Sequence, residues 1–180
     1  MQLPDHFRKM AANNLWSNHR LHRAVLALKP GEFEAERVGF FPSIAKTLNH
    51  ILAVDLYYLD ALEEGGIGPA AFHDFVPFDS PAALADAQRA QDERLMAFCS
   101  ALRQEDMARR VITDRGNAGK FPERIDALLA HLFLHQVHHR GQVHAMLAGT
   151  SVAPPQLDEF FLDFDMPRRK AEMERLRLAP

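Results

Sequence analysis

Apolar residues recur at three- and four-residue spacings along four long stretches of this 180-residue chain, with glycine and proline as punctuation between them. That period gives a helix one buried face and gives a strand none, so the chain is expected to be all-α. The first stretch, roughly residues 5–28, aligns Phe7, Met10, Ala11, Leu21, Val25 and Leu28 and stops at Pro30 and Gly31. The second lies in FPSIAKTLNHILAVDLYYLDALEEGG, where Ser43 is the expected cap, Ile44, Leu48, Ile51, Tyr58 and Leu62 form the stripe, and Gly65 and Gly66 end it. A loop, GIGPAAFHDFVPFDS, leads to a third helix that Ser80 caps and Pro81 opens, with Leu84, Ala87, Leu95, Phe98 and Leu102 on its face. Val111 and Ile112 followed by RGNAG then suggest a short β-ribbon. The fourth helix is expected over roughly residues 122–148, ending at Gly149, and the connection TSVAPPQLDEFF leads to a charged terminal helix in PRRKAEMERLRL. The expected architecture is a four-helix bundle, with a long crossover between helices two and three and a short C-terminal helix, as one domain over residues 1–180.

Composition narrows the chemistry. A 47% hydrophobic chain of this length can build a sizeable core, yet no stretch is long and apolar enough to span a bilayer. The N-terminus lacks the basic, apolar and small-residue pattern of a secretory signal, so a cytoplasmic location is expected. With one cysteine, Cys99, neither an internal disulfide nor a multi-cysteine zinc cage can form, and any metal site must use nitrogen and oxygen. A net charge of −3 with scattered arginines leaves no footprint for nucleic acid.

The stretch HLFLHQVHHRGQVH holds five of the ten histidines, inside an otherwise apolar helix. Imidazole is a costly filler for a buried face, because its nitrogens need partners that leucine does not. The inward stripe reads Leu128, Leu132, His135, His139, Gln142 or Val143, and Met146, so two histidines one turn apart share the buried face. Two imidazoles so placed can converge on one ion, or can pack and bond to backbone or water. His50, the one histidine of helix two, sits at the edge of that helix's stripe and offers a third nitrogen from a facing helix. Three nitrogens with open positions would make a site of catalytic type; a half-buried ring bonded to nearby backbone is the alternative for His50.

The combination of NNLWSNHRL, LNHILAVDLYYL and HLFLHQVHHRGQVHAML, in that order and over nearly the whole chain, resembles the DinB family of damage-inducible-type bacterial proteins. The resemblance implies an up-down-down-up bundle, a homodimer, and a divalent metal, zinc or nickel, on a histidine triad that maps onto His50, His135 and His139. It further implies a reaction of the thiol S-transferase or isomerase type, using a low-molecular-weight thiol and an electrophile.

The remaining polar anomalies have structural readings beside functional ones. His131 is a rim group or a partner of a ligand, and His138, about 100° around the helix from His139, is packed, interfacial or exposed. Gly141 in mid-helix implies close approach of another helix, with helix one as the beneficiary. Asn14 and Asn18 interrupt the stripe of helix one and are read as a structural network ahead of a pocket role. Trp16 is read as a core or dimer anchor, and Asp55 and Tyr58 as pocket-lining or ligand-orienting groups unless Asp55 caps or pairs with an arginine. Cys99 reads as a small buried hydrophobe.

Overall fold

A computed structural model describes residues 2–158 and 162–178; residues 159–161, at the end of the TSVAPPQLDEFF connection, and the chain's extreme residues lie outside the described residues. Six α-helices and one two-stranded ribbon are present among the described residues: α1 (Leu3–Leu26), α2 (Ile44–Leu62), α3 (Ala70–His73), α4 (Pro81–Ala101), β1 (Arg110–Asp114), β2 (Lys120–Arg124), α5 (Ile125–Leu147) and α6 (Met166–Leu176). The four long helices are those the apolar period implied. Ser43 caps α2 by accepting from the Lys46 N–H at 3.1 Å, and Ser80 caps α4 with Pro81 in its first turn. At the end of α2 the left-handed position falls on Glu64 (φ 59°) rather than on a glycine, and Gly65 N–H reaches back to the Asp60 carbonyl at 2.9 Å.

The ribbon forms as its β-branched pair suggested, antiparallel, with Ile112 opposite Pro122 and Thr113 opposite Phe121. It displaces the expected start of the fourth helix: residues 122–124 are strand, and α5 begins at Ile125, whose N–H bonds to the Arg109 carbonyl at 3.0 Å. Cross-strand pairing satisfies the backbone there, and Pro122, which has no N–H to give, fits a two-stranded edge.

Each long helix touches two others, α1 and α2 both packing on α4 and α5. One apolar cluster joins Phe7, Val54, Leu95 and Leu129, and another joins Leu21, Leu48, Leu84 and Val143, so every long helix contributes to both. Burying each such leucine contributes roughly 1.5–3 kcal/mol, which is what holds these helices to one another. A third cluster lies under α6, where Met173 and Leu176 cover Trp16 and Leu15. Trp16, 1% exposed, is thus a core anchor, its indole N–H donating to Glu172 at 3.0 Å.

Gly141 corrects a sequence expectation. A Cβ built there meets nothing within 4 Å, so no helix approaches it. The link between α1 and α5 is made one residue earlier, where Arg140 reaches Asn14 and Asn18.

Candidate metal centre

Three histidine rings meet at the seam of α2 and α5. His50 comes from α2, and His135 and His139 come from successive turns of α5. One nitrogen of each lies within 4.8 Å of the others, and Nε2 of His50 stands 3.0 Å from Nε2 of His135. Nitrogens that share an ion at about 2.0–2.1 Å lie close to 3 Å apart, so this spacing fits common ligation. The ring centroids are 4.4–5.0 Å apart. His139 is buried, while His50 and His135 are half-buried, leaving one side of the cluster open.

All three rings are held neutral, as metal ligation requires. Burial, then the neighbouring His139, pushes His50 down to about 4; burial and the surrounding histidines push His135 down to about 3. His139 is lowered mainly by burial, against the opposing effect of the hydrogen bond it donates to the Gln142 amide oxygen. That bond also sets the tautomer. Gln142 Oε1, 2.7 Å from His139 Nδ1, can only accept, so Nδ1 carries the proton and Nε2 keeps its lone pair. The Gln142 amide is oriented in turn by donating from Nε2 to His138 Nε2 at 3.1 Å. His138 itself is exposed, with its ring edge-on to His139 at 4.8 Å.

Phe41, which the sequence reading passed over, covers one side of the cluster. Its ring lies 4.3 Å from His50 and 5.7 Å from His139, with Phe40 edge-on behind it at 4.9 Å. Its place two residues before the Ser43 cap was the available signal, since residues just ahead of a helix fold back over its first turns. His131 stays outside the triad, exposed, with its ring 6.4 Å from His135 and 5.0 Å from Tyr58.

Asp55 makes no hydrogen bond to any of the three histidines. Its Oδ2 accepts from Gln88 at 2.7 Å and from Gln136, within a buried network spread over all four long helices. Asn14 and Asn18 donate to Asp92 at 2.9 Å, and Arg140 bonds to Asn14, Asn18 and Gln136. The structural reading of the two asparagines holds. Gln88, Asp92, Gln136 and Arg140 were missed, although Gln88/Asp92 and Gln136/Arg140 repeat the spacing of four that marked Asn14/Asn18. Burial pushes the Asp55 carboxyl up to about 6 and raises Asp92 well above the carboxylate range, and it draws Arg140 down to about 10. Cys99 is fully buried and its thiol is pushed up to about 12 by burial, which fits a packed hydrophobe.

Comparison with known proteins places the chain in a family. The sequence pattern of the DinB family matches residues 1–170. Protein DinB of Bacillus subtilis (strain 168) is 24% identical over 153 residues, covering 81% of this chain and 88% of its own. The crystal structure of a DinB-like protein from Bacillus subtilis superposes with a TM-score of 0.58 at 16% identity, covering 81% of this chain and 96% of that one, a likeness of fold. With the family pattern matched over nearly its whole length and a three-histidine cluster able to hold a metal ion, this chain belongs to the DinB family.

Proposed function

We propose that His50, His135 and His139 bind one divalent ion, zinc or nickel, and that the protein is a metal-dependent transferase using a low-molecular-weight thiol. The observation that carries the reading is the convergence of three neutral imidazole nitrogens within 4.8 Å at a half-open seam. A divalent ion held there supplies Lewis acidity, which lowers the pKa of a thiol or water at an open position. Three neutral ligands leave the ionic charge uncompensated, which favours an anionic partner. Gln142 keeps His139 in the ligating tautomer, and Phe41 shuts water from one side of the cluster.

The nucleophile must come from outside, because Cys99 is buried in an apolar cluster. In the transfer the thiol proton passes to solvent, sulfur forms a bond to the electrophilic carbon, and the leaving group departs with the electron pair of the broken bond. Hydrolysis is less favoured: Gln136, which follows His135, is committed to the buried network, and among the described residues no carboxylate joins the histidine group.

The same reading takes residues 1–180 as one domain, acting in the cytoplasm as a homodimer, with an up-down-down-up bundle. The two apolar clusters support that topology, since the start of α1 packs with the ends of α2 and α4 and the start of α5.

The test is spectroscopic. Nickel- or cobalt-loaded protein titrated with 2-mercaptoethanol is expected to develop a sulfur-to-metal charge-transfer band that His139→Ala lacks. His139→Ala should also lose stoichiometric metal by elemental analysis while keeping its helical circular dichroism. A metal spectrum moved by acetate and by no thiol would sink the transferase reading; stoichiometric metal without turnover of any thiol and electrophile would leave a non-catalytic metal protein.

A further inference from the structure

From the three-histidine centre a row of side chains runs along the α2–α5 seam to the ribbon. His131, one turn before His135, has its ring 6.4 Å away, and the Tyr58 ring lies 5.0 Å beyond it. The Arg115 guanidinium follows, 5.4 Å from the Tyr58 ring and 5.5 Å from that of Tyr57. Arg115 is exposed on the turn between β1 and β2, and that turn is tight: Arg115 N–H bonds to the Gly119 carbonyl at 2.8 Å, with Gly119 at φ 101°. The guanidinium is therefore carried by a fixed loop and steadied against two aromatic faces.

What this end of the row lacks is a carboxylate paired with the guanidinium. Arg115 Nη1 donates to the Tyr58 hydroxyl at 3.2 Å, so the Tyr58 O–H must point its own hydrogen elsewhere. Among the described residues no carboxylate stands within ion-pair distance of Arg115, although the charge of Glu123 on β2 acts on it from further off. Its neighbour Asp114 is already engaged, by Lys120 at 3.3 Å and by the Gly116 N–H at 2.9 Å. A guanidinium and a phenol stand side by side with hydrogens to donate, at the far end of the seam that holds the three histidines.

We infer that Arg115 and Tyr58, with His131 between them and the triad, form an anion subsite, and that the ligand taken at the three-histidine centre carries a carboxylate at its opposite end. This rests on the proposed thiol reading and adds a ligand class to it: an elongated acid, with sulfur at the histidines and the carboxylate at Arg115. A planar guanidinium suits that role, offering paired donors to a carboxylate's two oxygens. Arg115→Gln removes the charge, and Arg115→Lys keeps the charge without the fork.

Molecular rulers test it. Nickel-loaded protein is titrated with mercaptopropionate, mercaptooctanoate and mercaptoundecanoate, and with the terminal alcohols of equal length, reading the charge-transfer band. The long acids should bind about tenfold or more tightly than their alcohols, the short acid should show no such advantage, and Arg115→Gln should erase the difference with metal content unchanged. Arg115→Lys should retain part of it. An advantage that survives Arg115→Gln, or that is equal at every length, overturns the subsite. If no thiol gives a band, the thiol reading fails by itself, and calorimetric titration with suberate decides the subsite: binding lost in Arg115→Gln upholds it, and binding equal in both proteins, or in neither, overturns it.

Discussion

Gln142 decides which nitrogen of His139 is free, and it does so with a group that cannot itself ligate as strongly as a carboxylate would. Its Oε1 fixes the proton on Nδ1 at 2.7 Å, and its Nε2 is held by His138 at 3.1 Å, so the amide cannot easily turn over. Gln142→Leu leaves His139 free to rotate and to protonate on either nitrogen, and is expected to weaken metal binding about 10- to 100-fold in chelator competition. Gln142→Glu keeps the acceptor and should stay near the wild-type affinity. Equal affinity in Gln142→Leu would mean that packing against Phe41 alone orients the ring. At this scale the clustering of His135 and His139 was legible, because histidines on an apolar stripe demand an explanation, and His50 offered itself from the edge of the facing stripe. Phe41 was not, since a phenylalanine ahead of a helix cap looks like ordinary packing and its contact with His50 depends on how the chain re-enters the bundle.

On α5 the sequence contains a residue that works against the helix. Gly141 is an interior helical position whose Cβ would meet open space, beside a hollow between α1 and α5 that Val137, His144 and Leu157 also line. Gly141→Ala should therefore raise stability by about 1 kcal/mol in urea unfolding, through lower backbone entropy in the unfolded chain and better helix propensity. A loss of stability would mean that something seats in that hollow. The reading of close helix approach failed here because propensity signals a cost without naming its cause. The caps of α2 and α4 were legible, being local chemistry of Ser43 and Ser80. The start of α5 was not, because the pairing of Lys120–Arg124 with Arg110–Asp114 is settled between segments and leaves no trace in the helical period.

For the molecule as a whole, the buried network has an electrostatic consequence. Asp55 and Asp92 share the single cation Arg140, and burial holds the Asp55 carboxyl at about 6 against 3.8 in an ordinary setting. A carboxyl raised on folding gives its full contribution below the unfolded value and loses it as pH climbs through the folded one, so this group lowers stability between about pH 4 and pH 6, by roughly 3 kcal/mol in all. Asp55→Asn keeps an oxygen to accept from Gln88 and Gln136 and has no charge to bury. Its stability minus that of wild type, from urea unfolding at several pH values, should rise across that window and then level off. A constant difference would show that the acid stays neutral throughout or that Arg140 fully compensates it. The network was only half visible in the sequence: Asn14 and Asn18 stood out on a short apolar stripe, whereas Gln88 and Asp92 sit on a helix rich in charge, where polar residues look like solvent-facing ones. Its place in the bundle matters beyond its charge. Gln136 follows His135 directly and Asp55 lies just over a turn past His50, so the bond between them ties α2 to α5 beside the triad. A slip of one helical turn, about 5.4 Å, would strand a buried acid and separate the imidazoles at once. The network thus acts as a detent: it gives the sliding coordinate of two smooth apolar helices a single notch, and that notch is the one at which three nitrogens face a common point.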